Sequence, residues 1–161
     1  MDPAHIHLLL NHFPIVGLLI VSSILAYGTF RKKQEVITIS MYFLVIIALI
    51  TIVVYLTGDG TAHIVKMLPG INKTDIHNHD EAADSLFWLV ELTGILALAY
   101  IYVDYKKMKY TTFLIRATLL VSIISFIGMA YVGYLGGKIM HKEIDSNTII
   151  TPTTTQQDSI K

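Results

Sequence analysis

The sequence has no cysteine. That excludes disulfides, thiolate metal sites, cysteine-held iron–sulfur clusters and covalent c-type haem attachment. Charge is also scarce. Charged residues make up 15% of the chain and the two signs cancel to a formal net charge of zero, against about 25% charged in an ordinary soluble domain. Nothing in that balance suggests nucleic acid as a partner. There is no recognisable nucleophile–base pair or nucleotide motif, and Gly58-Asp59-Gly60 is too short for a phosphate-binding loop. What takes the place of charge is hydrocarbon: 53% of residues are hydrophobic and the mean hydropathy is +0.60. The excess sits in four blocks, each near or above the ~20 residues that cross a bilayer.

These blocks predict an all-α, integral membrane four-helix up-down bundle over residues 1–142, with spans at about 6–30, 36–56, 80–103 and 112–136. The second block, MYFLVIIALITIVVYL, is rich in β-branched residues, but its length argues for helix. Thr57-Gly58-Asp59-Gly60 reads as its glycine stop. A linking stretch, Thr61 to Asp80, carries a short amphipathic piece broken by Pro69-Gly70. The third span begins between Thr74 and Asp84, where Asp75, Asp80, Glu81 and Asp84 favour the helix dipole. Residues 143–161 form a polar, Thr-rich tail predicted to be disordered. MDPAHIH lacks the basic region of a signal peptide, so the first block reads as a retained helix.

Orientation follows from the positive-inside rule. Arg31, Lys32, Lys33, Lys106, Lys107 and Lys109 crowd the two tight turns, with Arg116 just beyond. Lys66, Lys73, Lys138 and Lys142 are spread over longer segments at the other end. Both termini and the 57–80 loop are therefore expected outside, in the periplasm of a bacterial inner membrane. His5, His7, His12, His63, His77, His79 and His141 then all fall at the outer end. His12 and His63 bracket the first hairpin as His79 and His141 bracket the second, a weak pseudo-repeat. His7 and His12 diverge by about 140° around a helix, so one helix offers imidazole to two neighbours. Pro14 removes a backbone donor and predicts a kink near Leu10.

His77, Glu81, Asp84, Trp88 and Glu91 recur at helical spacing on one stripe. Glu91 lies within the hydrocarbon, where an ionisable group is expected to face the bundle interior. With Asp84 above it, it marks a candidate proton or polar relay to the outer surface. The bland reading is an interhelical hydrogen bond. Tyr55, Trp88, Tyr131 and Tyr134 match an outer aromatic belt.

HLLLNHFPIVG, starting at His7, resembles the opening of the DUF2231 type of four-helix bacterial membrane proteins. GYLGGKIMHKEI is similar to that family's Gly-Gly motif near the C-terminus, and TGDGTAHIVKMLPGINKTDIHNHDEAA resembles an outer loop of its relatives. Such proteins are similar in plan to small b-type cytochromes. The resemblance implies haem b held by histidines between helices. The outer position of the histidines is then expected to suit electron exchange between quinol and a periplasmic carrier, with the chain as the haem-bearing anchor of a larger redox complex. Bis-histidine ligation needs imidazoles from different helices. His12 and His79 are the first choice, and His63, His141 and His7 are further candidates for a second site or for contacts to the haem edge. The alternative is a Cu, Zn or Fe ion held by a selection of His12, His63, His77, His79, His141 and Glu81, for binding or transport. A third reading is a non-catalytic subunit of a membrane complex, with its histidines meeting a partner.

Overall fold

No water reaches hydrocarbon to hydrogen-bond an open backbone, so a chain crosses it as helices or as a closed barrel. This chain does so as helices. The computed structural model describes residues 3–68 and 71–140; His141, the tail and the Pro69-Gly70 break lie outside the described residues. Helix α1 spans Pro3–Leu10, α2 His12–Phe30, α3 Gln34–Val65, α4 Lys73–Tyr105 and α5 Thr111–Met140. With α1 and α2 taken as one span, Ala4–Phe30, four helices are long and apolar enough to cross a membrane. The expected kink is a one-residue interruption. Pro14 has no amide hydrogen to offer the Leu10 carbonyl. Asn11 nevertheless keeps helical dihedrals (φ −58°, ψ −25°), and its amide bonds the His7 carbonyl at 2.8 Å.

Two boundaries differ most from the sequence expectation. Helix α3 runs through the expected stop to Val65, because Gly58 does not take the left-handed conformation by which a glycine ends a helix. Thr57 and Thr61 support the extra turns by bonding back to the Val53 and Thr57 carbonyls. Helix α4 starts at Lys73, capped by the Asn72 side chain, which accepts from the Thr74 amide at 3.0 Å. Both histidines of the His77-Asn78-His79 run are therefore helical.

The helices close a ring: α2 on α3, α3 on α4, α4 on α5 and α5 back on α2, with α1 against α3. Lipid tails are as apolar as leucine, so association depends on close approach and on polar contacts between helices. The core is built accordingly. Ser22, Ser40, Thr51, Thr93, Thr118, Ser122 and Ser125 are buried, while Leu19, Ile20, Phe43, Leu49, Ile95 and Ile127 face outward. Thr93 and Ser125 pair their hydroxyls at 3.0 Å across α4 and α5. Gly94 lets α4 touch α3, since a Cβ there would sit 2.5 Å from the Ala48 Cβ. At the basic end, Gln34 donates to the Tyr100 hydroxyl and, at 3.3 Å, to Asp104, tying α3 to α4.

The bundle is an internal duplication. The offset that carries His7 onto His79 also carries the buried α2 residues Leu18, Val21, Ser22, Leu25 and Gly28 onto the buried α4 residues Val90, Thr93, Gly94, Ala97 and Tyr100. A second offset, carrying Val54 onto Val132, superposes buried Ile37, Ser40, Leu44, Ile47 and Thr51 of α3 on buried Ile115, Thr118, Ser122, Ser125 and Met129 of α5. The turns repeat too. Lys32 and Lys107 both take φ 53°. Each is followed by a residue whose amide reaches back to close the helix, Lys33 to the Gly28 carbonyl at 2.9 Å and Met108 to the Val103 carbonyl at 3.0 Å. Both hairpins cross in the same sense, as parallel repeats do.

Two outcomes follow. A left-handed conformation costs an L-residue about 1–2 kcal/mol, partly offset by the larger freedom that glycine loses on folding. Lys32→Gly and Lys107→Gly should each stabilise the bundle by up to about 1 kcal/mol. Gly94→Ala should destabilise it by about 1–3 kcal/mol, as overpacking does. Unfolding in detergent micelles measures both.

Candidate histidine site

The offset relating the hairpins pairs His5 with His77 and His7 with His79, so the repeat begins with a His-x-His on each side. The outer member of each pair is exposed; the inner member is half-buried. His7 projects from α1 onto α3 and places Nδ1 2.9 Å from the Val54 carbonyl oxygen. His79 projects from α4 onto α5 and places Nδ1 3.1 Å from the Val132 carbonyl oxygen. The two valines are themselves equivalent. One turn beyond each stands a glycine against the ring: a Cβ on Gly58 would lie 3.5 Å from His7 Cε1, and a Cβ on Gly136 3.2 Å from His79 Cε1. The same imidazole seat is thus built twice, at the same end of the bundle, and the two rings lie within electrostatic reach of one another.

A carbonyl oxygen can only accept, so Nδ1 donates in both rings, and this fixes the tautomer. Nε2 then keeps the lone pair, the form in which imidazole binds a metal. An Nδ1–H···O=C bond of this kind is the usual support behind a metal-binding histidine.

The other expected residues are placed differently. His12 is exposed, and its Nδ1 meets the neighbouring Asn11 Oδ1. The seat equivalent to that of His79 therefore belongs to His7, five residues earlier than the first choice made from the sequence. His63 is exposed at the end of α3. His77 Nε2 stands 4.0 Å from Glu81 Oε2, with both side chains open to solvent. His141 lies outside the described residues. Among the described residues no three of the histidines and carboxylates gather as a metal-binding group. Of the acidic stripe, Glu81, Asp84 and Trp88 face outward, and Glu91 alone is drawn partly into the bundle. Tyr55 faces the Asp84 carboxylate and stacks on Phe87 at 4.3 Å, which in turn meets Trp88 edge-on at 5.2 Å.

The carbonyl partners Val54 and Val132 had no role in the sequence reading, and Gly58 and Gly136 entered it only as a helix stop and as part of the Gly-Gly motif. The repeated His-x-His and the glycine beyond each valine were the available signal. It was obscured because the first helix is apolar where the second is acidic. The paired seats make a spectroscopic prediction. In 15N-histidine NMR of the protein in micelles, His7 and His79 should both be in the Nδ1–H tautomer, and their signals should be absent from His7→Ala and His79→Ala respectively. Nε2–H tautomers at both positions would contradict the seat.

A family model described as "Predicted membrane protein (DUF2231)" matches residues 3–143. No curated protein and no solved structure matches the chain. The match takes in both hairpins and both histidine seats, and the chain belongs to the DUF2231 family of predicted membrane proteins.

Proposed function

We propose that the chain is a membrane-anchored b-type haem protein in which His7 and His79, one from each hairpin, would hold the haem. The observation that carries this reading is the doubled seat: two half-buried imidazoles on different helices, each with Nδ1 committed to a carbonyl. The donor set fits the group. A bare transition-metal ion in a protein site takes three or four protein ligands, and no such set gathers among the described residues. Haem brings four equatorial nitrogens of its own and asks the protein for two axial ones. It would supply one-electron transfer, and the carbonyl bonds of Val54 and Val132 would hold both rings in orientation and raise their basicity.

The basic turns at Arg31–Lys33 and Lys106–Lys109 support a cytoplasmic location for that end. The histidine end and both termini then face the periplasm of a bacterial inner membrane. Electrons would pass there between quinol and a periplasmic carrier, with this chain as the haem-bearing anchor of a larger redox complex. A second reading, a Cu, Zn or Fe ion, draws on the adjacent His77 and Glu81.

The test is a reduced-minus-oxidised visible spectrum of the detergent-purified protein. A b-type α-band should be present in the wild type and in His12→Ala, and absent from His7→Ala and His79→Ala. No Soret absorbance in protein from haem-replete cells overturns the haem reading; stoichiometric metal in such colourless protein would move the reading to the ion.

A further inference from the structure

Glu91 stands apart from every other charged residue. On α4 no other charged side chain occurs between Asp84 and Asp104; α3 has none between Glu35 and Asp59, and α5 none between Arg116 and Lys138. The α2 segment has none between His12 and Arg31. The contacts of Tyr55 with Phe87 and of Ala48 with Gly94 set the register of α3 against α4. That register puts Glu91 level with Thr51, in the middle of the span. Its Oε1 is buried and has no hydrogen-bond partner. The nearby hydroxyls are engaged elsewhere: Thr51 donates to the Ile47 carbonyl at 2.8 Å, and Thr93 and Ser125 bond each other and the Leu89 carbonyl.

The bland reading, an interhelical hydrogen bond holding the bundle together, therefore lacks its partner. The duplication removes the other structural reason. The position equivalent to Glu91 in the first hairpin is Leu19, which faces outward, so the repeat needs no polar group at this position. A carboxylate at the centre of a bilayer is disfavoured by about 2.5–3.5 kcal/mol or more, whereas the neutral acid escapes most of that penalty. A group the fold does not use, retained where its charge is least tolerated, marks a site for the one ligand that makes it neutral.

We propose that Glu91 is a proton-binding site within the membrane: a carboxylic acid at neutral pH whose proton exchanges with solvent. The titratable groups nearest along the bundle are Asp84 and Tyr55, which face one another on the histidine side of it, and His12, which the repeat places level with Asp84. The site needs no cofactor, so its fate is separate from that of the haem reading.

The experiment is infrared spectroscopy of the protein in lipid vesicles. At neutral pH the wild type should show the carbonyl stretch of a protonated carboxyl. Glu91→Gln should lack it, and it should shift down in D2O. Absence of the band at neutral pH, its survival in Glu91→Gln, or its failure to shift in D2O each overturns the proposal. Should Glu91→Gln not fold, a lipid-soluble carbodiimide, which reacts with the protonated acid, should add to Glu91 in the wild type, read by mass spectrometry; an unmodified Glu91 overturns the proposal. Glu91→Leu should raise Tm in detergent by a few degrees, and a fall in Tm would return Glu91 to a structural role.

Discussion

A helix in hydrocarbon gains nothing by hiding its apolar side chains, because lipid hides them equally well. The bundle therefore depends on contacts that lipid cannot imitate. Backbones come close where Gly94 meets Ala48, and Gly128 leaves room for the Leu86 side chain. Hydroxyls pair or bond back to carbonyls across the interior, as Thr93 and Ser125 do. Many large residues are turned out, while Tyr100, Leu18, Leu25 and Met41 are buried. The same constraint gives the polar groups their meaning: one that remains at membrane depth has a partner, as His7 and His79 have, or lacks one, as Glu91 Oε1 does.

The repeat makes two ordinary hydrogen bonds equivalent. One histidine bonded to a helical carbonyl is a common way to satisfy an imidazole. Two of them, at equivalent positions, over equivalent glycines and at the same end, put two matched lone pairs on separate hairpins. A single hairpin offers one such nitrogen; the pair offers two, which is the ground of the haem proposal. Each seat is complete within its own hairpin; the packing of α2 on α5 and of α3 on α4 brings the two to one end of the same bundle.

Much of the fold was legible because length and hydropathy measure what a bilayer demands. The spans, the two basic turns and the gathering of the histidines at one end could be read from composition and charge alone. The ends of the helices could not. Glycine signals a stop in water by adopting the left-handed conformation, but Gly58 stays out of that region, beside the His7 ring, and α3 continues. The site was half legible. His79 was singled out, whereas His12 was preferred to His7 because it opens the long apolar run. The interruption at Asn11 belongs to that same span, and the register of the repeat runs through it. Sequence spacing within one helix does not reveal that register; burial compared across both hairpins does.

The parallel sense of the two hairpins bears on how the chain is made. Each hairpin carries its own pair of spans and its own lysine-bearing turn, so each holds a complete instruction for crossing the bilayer. The first can settle in its final orientation while the second is still being synthesised, and nothing in the second needs to reverse it. Assembly then reduces to the lateral docking of two already inserted halves. Their shared seam joins α2 to α5 and α3 to α4, and the proximity of the two histidines reports that the halves have met.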